Sequence, residues 1–429
     1  FNIREFYADA AALRQNVMDD AGFVLRVDEV SVDPDGIVRV RLQEARVDSI
    51  EIEGNAKTKE FVIRREMTLK PGDVLDVNRL RRDLRRILQL GYFDSVTPVF
   101  ADTTDPDRIK LIIQVAERKT GAATFGAGYS SADGFLGYVD VSDENFLGRG
   151  QRAHIRWEFG QRSTTYDLGF YEPYLSRSGT SLGFNLFRRS ADREQPLDDG
   201  GERYNELRLG GDATIGQRVG DFSRISATYR LENVTITPLT EGGSIVASDN
   251  ELRTLKLALR TNTTDDPFYP TSGFTNGLSV EKAGDWLGGD VAFTKYEGDL
   301  STYWRIGSSR QTIAMRVAAG TSDRALPFEE EFRLGGSETV RGYQYGAMHG
   351  DTMLLANLEY RFPIVEALQG VVFVDAGNAW SHSEPIELKE LKHSYGVGVR
   401  LQTPLGVIRV DYGIGEDGGR AHFSLGPTF

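Results

Sequence analysis

The chain contains no cysteine. That fits an exported protein without disulfides and a cytosolic one equally, so it fixes no compartment. No run approaches the ~18 apolar residues that a membrane-spanning helix needs, and the mean hydropathy is −0.36. A β-barrel escapes that test, because alternate residues of a spanning strand are polar. Histidine is scarce, at five residues. His382 and His393 sit near one loop, but no His-Glu-x-x-His or comparable metal spacing occurs. Gly335-Gly336-Ser337 lacks the Gly-x-Ser-x-Gly pattern of a nucleophile elbow. No enzyme, cofactor or metal is therefore expected. Positive charge is also short: the formal net charge of −13 argues against nucleic acid as a main partner. No signal peptide is visible, since Phe1 opens directly into a helical pattern, so an exported form would be processed or trimmed.

What the chain does have is alternation. The 429 residues suffice for two or three domains, or for one large barrel with accessories. Glycine is abundant, at 47, and aromatics reach 10%, which suits many tight strands with aromatic girdles. In Ala153 to Phe159 odd positions are apolar and even ones polar or charged. Leu354, Ala356, Leu358, Tyr360 and Phe362 alternate with Asn357, Glu359 and Arg361, and the beat returns in Tyr395 to Leu401. A strand sends successive side chains to opposite faces, so each segment has one apolar and one wet face. A soluble sandwich would bury the apolar faces between sheets. A membrane barrel would turn them to lipid. About sixteen strands are expected, near 120–131, 135–147, 151–162, 164–175, 180–194, 204–218, 220–238, 252–264, 272–284, 289–306, 311–325, 352–363, 370–380, 393–403, 405–414 and 421–429. Very short connections alternate with long acidic or glycine-rich ones, as in outer-membrane barrels. The longest irregular stretch covers about 326–351.

The first 118 residues follow another grammar. Phe6, Ala10, Leu13 and Val17 recur at helical spacing, and Gly22 stops that helix. Phe23–Val27 and Ile37–Leu42 read as strands about the turn Asp33-Pro34-Asp35-Gly36. A second unit then reads β-α-α-β-β. Its strand Val47–Ile52 ends at Gly54-Asn55, and Thr58 is placed to cap a helix over Glu60–Met67. Asp76 caps a second helix whose stripe is Val77, Leu80, Leu84, Ile87 and Leu88. Phe93–Phe100 and Ile109–Val115 close the unit. Ile52-Glu53-Gly54-Asn55 with Thr58, then Gly72-Asp73, then Leu90-Gly91-Tyr92-Phe93 resemble the motifs of a polypeptide-transport-associated (POTRA) domain. The resulting division is 1–45, the C-terminal part of a truncated POTRA domain; 46–118, a complete one; and 119–429, a transmembrane barrel. Arginines 79, 81, 82, 85 and 86 mark a solvated helix face, or one set beside anionic lipid or a partner.

The long irregular stretch contains Val340-Arg341-Gly342-Tyr343, and two strands later comes Phe373-Val374-Asp375-Ala376-Gly377. Together they resemble the BamA-type outer-membrane assembly superfamily. The resemblance implies that the loop folds into the barrel and that Arg341 pairs with Asp375 on the wall near Gly377. The residues support this independently: Val372, Val374 and Ala376 form an apolar face, so Asp375 points inward and needs a cation. The alternative is a solvated arginine and an ordinary water-filled lumen. Asp266 to Gly273, Tyr171 to Leu175 and the terminal Phe423 to Phe429 also resemble family segments. At the seam, Gly126 and Gly128 in the first strand and Pro427 and Phe429 in the last make poor pairing partners, since proline donates no ladder bond and glycine adds no side-chain pair.

These readings give a sixteen-stranded antiparallel transmembrane barrel preceded by α+β POTRA domains, in a bacterial outer membrane with the POTRA domains in the periplasm. The resemblance implies folding and insertion of other barrel proteins by β-augmentation at a lateral gate between the first and last strands. Expected partners are unfolded outer-membrane barrel proteins, periplasmic chaperones or accessory lipoproteins, and outer-membrane lipid. TamA-like or two-partner-secretion translocation is the alternative, and a passive diffusion pore is the alternative of another class.

Overall fold

The computed structural model describes residues 12, 25–33, 37–105, 107–130, 134–176, 178–197, 201–266, 269–307, 311–365, 367–403, 406–416 and 418–425. The expected helix over residues 6–17, apart from position 12, and the seam residues Pro427 and Phe429 lie outside them.

One compact unit comprises Phe1–Ala122 with Ser142–Ala153. In it β1 (Leu25–Val32) and β2 (Val38–Glu44) pair antiparallel. There follow β3 (Arg46–Glu53), α1 (Glu60–Arg64), α2 (Val77–Gln89), β4 (Phe93–Asp102) and β5 (Arg108–Glu117). The sheet order is β3-β5-β4, with β5 parallel to β3 and antiparallel to β4. Val47, Val62, Ile63, Leu80, Ile87, Leu111 and Ile113 form its core with Tyr92 and Phe93, and Leu84 packs against it. Each such side chain contributes roughly 1.5–3 kcal/mol on burial. Leu88 is not part of the stripe. Eight residues after Leu80, it lies about 80° round the helix, and it is 44% exposed. The face is completed instead by buried Asp83, whose carboxylate accepts from the amides of Thr68 and Leu69 at 2.8 and 2.9 Å.

The sequence motifs of this unit are backbone devices. Gly54, Gly72 and Gly91 adopt positive φ, and a Cβ at Gly54 would fall 2.0 Å from the Val115 carbonyl oxygen. Asn55 donates to the Thr58 carbonyl at 2.9 Å, and Asp73 closes its turn by accepting from the Lys70 amide at 3.0 Å. Asp76 caps α2 by accepting from the Arg79 amide. Thr58 does not cap α1; the residue at that cap is Lys59. The Thr58 hydroxyl instead accepts from Asn145 at 2.8 Å, in the segment that clusters with this unit.

The barrel wall is one sheet of sixteen strands. They are β6 (Gly121–Ser130), β7 (Gly134–Phe146), β8 (Gln151–Gly160), β9 (Ser163–Glu172), β10 (Thr180–Gln195), β11 (Glu202–Val219), β12 (Ser223–Pro238) and β13 (Ser248–Asn262). Next come β14 (Gly273–Ala283), β15 (Phe293–Ile306) and β16 (Gln311–Ser322). The short β17 (Phe332–Leu334) and β18 (Met348–Gly350) pair with each other within the long connection. The wall resumes with β19 (Thr352–Val365), β20 (Leu368–Trp380), β21 (Lys392–Thr403), β22 (Gly406–Gly415) and β23 (Gly418–Leu425). Chain neighbours are sheet neighbours throughout, with β16 pairing β19, and β6 and β23 stand at the two ends of the order.

Burial in the wall inverts the rule for water-soluble proteins. Val372, Val374, Val397 and Tyr412 are exposed, while Glu359, Asp375, Arg400 and Asp411 are buried. Alternation alone produces this, because register keeps like positions on one face across strands: Asn357 faces Asp375, and Val374 faces Tyr395.

One pH effect follows for the α/β unit. Burial raises the Glu117 carboxyl, but the Thr58 side chain, the amides of Lys57 and Thr58 and the Lys57 charge together lower it more, leaving it below the usual carboxylate range. A depressed folded value adds stability that is present above the unfolded value of about 4.3 and is lost as pH falls through the folded one. The amide resonances of Lys57 and Thr58, which donate to Glu117 at 2.8 and 2.6 Å, should therefore shift with one acid midpoint below that value. Glu117→Gln should abolish the shift, and an unchanged titration would assign it elsewhere.

Candidate functional site: the segment inside the barrel

The connection between β16 and β19 carries the site. Its second half brings Val340, Arg341, Gly342 and Tyr343 against the inner faces of β19 to β23. Arg341 meets Asp375 at three points: Nε and Nη2 donate to the two carboxylate oxygens at 2.8 and 2.7 Å, and the backbone amide donates to Oδ2 at 3.0 Å. Bidentate charge-assisted geometry of this kind is the strongest an arginine makes. Asn357 donates to the same carboxylate at 2.8 Å and to the Thr339 carbonyl at 2.7 Å, so it fixes both wall and segment. The Arg341 guanidinium lies 3.5 Å from the centroid of the Phe373 ring.

The pair sits in a larger network. Arg341 Nη1 also donates to Glu359, whose other oxygen accepts from Arg361 at 2.7 Å. Asp411 accepts from Arg400 at 2.6 Å and lies 3.8 Å from Arg341. Three guanidinium groups thus meet three carboxylates, all nearly free of solvent. Burying ions costs several kcal/mol each, and only complete pairing offsets it.

Shape complements charge. Gly342 has a φ of +94°, and a Cβ there would fall 2.9 Å from the Gly415 amide nitrogen. A Cβ at Gly413 would lie 2.7 Å from the Gly342 nitrogen, so the wall is bare where the segment turns. Gly377 leaves the same room for Val340, which is wholly buried. The Tyr343 hydroxyl donates to the His393 carbonyl at 3.2 Å and accepts from the Glu416 amide at 3.1 Å.

The first half of the connection docks on other strands. A single 3-10 turn, Phe328–Glu330, presents two carboxylates. Glu330 accepts from Arg208 on β11 at 2.9 Å and lies 3.6 Å from Arg230 on β12. Glu329 accepts from Asn250 on β13 at 2.6 Å, and Lys295 on β15 donates to the Glu330 carbonyl at 2.8 Å. Sequence reasoning missed Glu329 and Glu330, as well as Glu359 and Asp411. For Glu359 and Asp411 the usable signal was phase, since each alternates with outward apolar residues. Glu329 and Glu330 lie in irregular backbone with no phase to read.

The seam residues are only partly in view. Gly126 and Gly128 lie in β6. A Cβ at Gly126 would fall 2.3 Å from the Tyr138 ring, so β7 fills the space that the glycine leaves. Among the described residues no group of three His, Cys, Asp or Glu is arranged to hold a metal ion.

The Omp85 superfamily domain model matches residues 145–429, and the POTRA model, surface antigen variable number repeat, matches residues 45–118. The outer membrane protein assembly factor BamA of Nitratidesulfovibrio vulgaris is 26% identical, covering 94% of this chain and 53% of that protein. BamA of Neisseria meningitidis is 24% identical, with 97% and 61% covered. Chloroplastic outer envelope protein 80 of Arabidopsis thaliana is 25% identical, with 94% and 60% covered. The chain therefore spans between about half and three fifths of the curated relatives' length. In fold it resembles the crystal structure of Haemophilus ducreyi BamA lacking POTRA domains 1–3, at a TM-score of 0.80 and 20% identity over 98% of this chain and 94% of that one. Escherichia coli CdiB follows at 0.62 and 14%, over 99% and 84%. At these identities the likenesses show the fold alone.

A double-mutant cycle tests the clamp. Arg341→Met leaves the buried Asp375 carboxylate without a cation and should cost about 3–5 kcal/mol of barrel stability in detergent, as should Asp375→Leu, which takes the bidentate partner from Arg341. Their combination should cost clearly less than the sum, and strict additivity would show that the groups act independently.

Proposed function

The chain belongs to the Omp85 superfamily, and from that membership we propose that it folds β-barrel proteins and inserts them into a bacterial outer membrane. The observation that carries this reading is the segment with Val340 to Tyr343 docked on the inner face of a sixteen-stranded wall, its Arg341 held by Asp375. Relatives named as outer membrane protein assembly factors support it. The barrel lies in the outer membrane, its exposed valines and aromatics against lipid. Our division of the chain assigns 46–118 to a complete POTRA domain on the periplasmic side, 1–45 to part of another, and 119–429 to the barrel.

An unfolded client carries backbone groups that lipid cannot satisfy. A strand edge offered by β6 or β23 would pair with the client's own strand and satisfy those groups in the plane of the membrane. Unfolded barrel proteins are then the substrates, and chaperones or accessory lipoproteins deliver them. No chemical step is proposed. Translocation through the lumen, the second reading, requires the inner segment to leave its docking sites, whereas strand pairing at the seam does not.

Because the chain has no native cysteine, one pair introduced across β6 and β23 forms a unique disulfide. The oxidised protein should stop inserting clients while its own barrel stays folded, and reductant should restore insertion. Client insertion at the normal rate with the seam closed would exclude lateral opening.

A further inference from the structure

We infer that His422 tethers the terminal strand to the segment inside the barrel, and that the tether holds only while its Nε2 is unprotonated. The Gly342 amide donates to His422 Nε2 at 3.0 Å. The imidazole therefore acts as an acceptor at that nitrogen and carries its proton at Nδ1. His422 is 6% exposed. It lies on β23, which is the end strand of the sheet, and its ring bonds directly to the backbone of the Arg341 clamp.

Its surroundings decide what a second proton would do. Asp411 stands opposite it in register on β22, Arg341 comes from the inner segment, Asp375 from β20, and Arg420 from its own strand. Asp411 and Asp375 are already engaged by Arg400 and Arg341. Arg409 on β22 donates to Ser424 at 2.7 Å and pairs with Glu338 of the segment, which gives β23 a second, indirect contact. The remaining side of His422 borders a cavity of about 710 Å³, where Arg162, Asp192, Arg193 and Glu194 also face it. Water and protons thus have a path to the ring.

Protonation changes two things at once. Nε2 becomes a donor and confronts the Gly342 N–H, so the bond is lost. An imidazolium also adds a cation where Asp411 and Asp375 are already engaged by arginines. Both effects loosen the segment from the terminal strand, and neither depends on which clients the barrel serves. Near neutral pH the strand and segment move together; in acid they separate.

Hydrogen exchange of residues 338–345 in the full chain tests this, with His422→Gln as the reference. Glutamine offers a neutral acceptor that does not titrate, and comparison at equal pH cancels the intrinsic exchange chemistry. The ratio of the two exchange rates should rise at least about fivefold from pH ~7.5 to ~4, a window that extends well below the ordinary histidine range. A ratio that stays constant would overturn the inference. A second reading needs no variant: the ¹⁵N titration of the His422 ring and the loss of protection at Gly342 must share one midpoint, and separate midpoints would equally overturn it.

Discussion

A carboxylate turned into a barrel must find a cation, and Asp375 finds Arg341 through three hydrogen bonds. Much of the interior follows from that need. Without the segment, Asp375 would lose its arginine and keep Asn357, while Arg361 stays on Glu359 and Arg400 on Asp411. Arg341 supplies the bidentate partner that Asp375 needs, so the segment is an electrostatic part of the wall rather than a loop resting on it. Attraction is strong there because solvent is excluded and the local dielectric is low.

The same connection is held at two places far apart in the sheet order, by Glu329 and Glu330 on β11 to β13 and by Arg341 on β19 to β22. A chain fixed at both ends occupies the space between. The bare inner surface at Gly377 and Gly413 lets it approach within van der Waals contact, and the hydrogen bond from Gly342 to His422 extends the coupling to the last strand of the sheet. Charge, shape and sheet edge therefore meet within a few residues.

Much of this was legible in the sequence. Period-two alternation located every wall strand, because a spanning strand must keep one face apolar and one wet whatever its neighbours are. The inward phase of Asp375 was readable in the same way, while its partner came from family resemblance. Leu88 misled because a helical stripe read from apolar residues alone ignores a buried carboxylate such as Asp83, whose hydrogen bonds make it part of the core. Glu329, Glu330 and the acceptor role of His422 were not legible. They depend on contacts between residues distant in the chain, and irregular backbone carries no periodic signal.

Conductance of the purified protein in planar bilayers tests most directly whether the docked segment closes the interior. The structure predicts no steady large conductance for the intact chain, and a stable open channel once residues 335–347 are excised. A steady large conductance from the intact protein, unchanged by the excision, would contradict a closed interior and return the barrel to the class of diffusion pores.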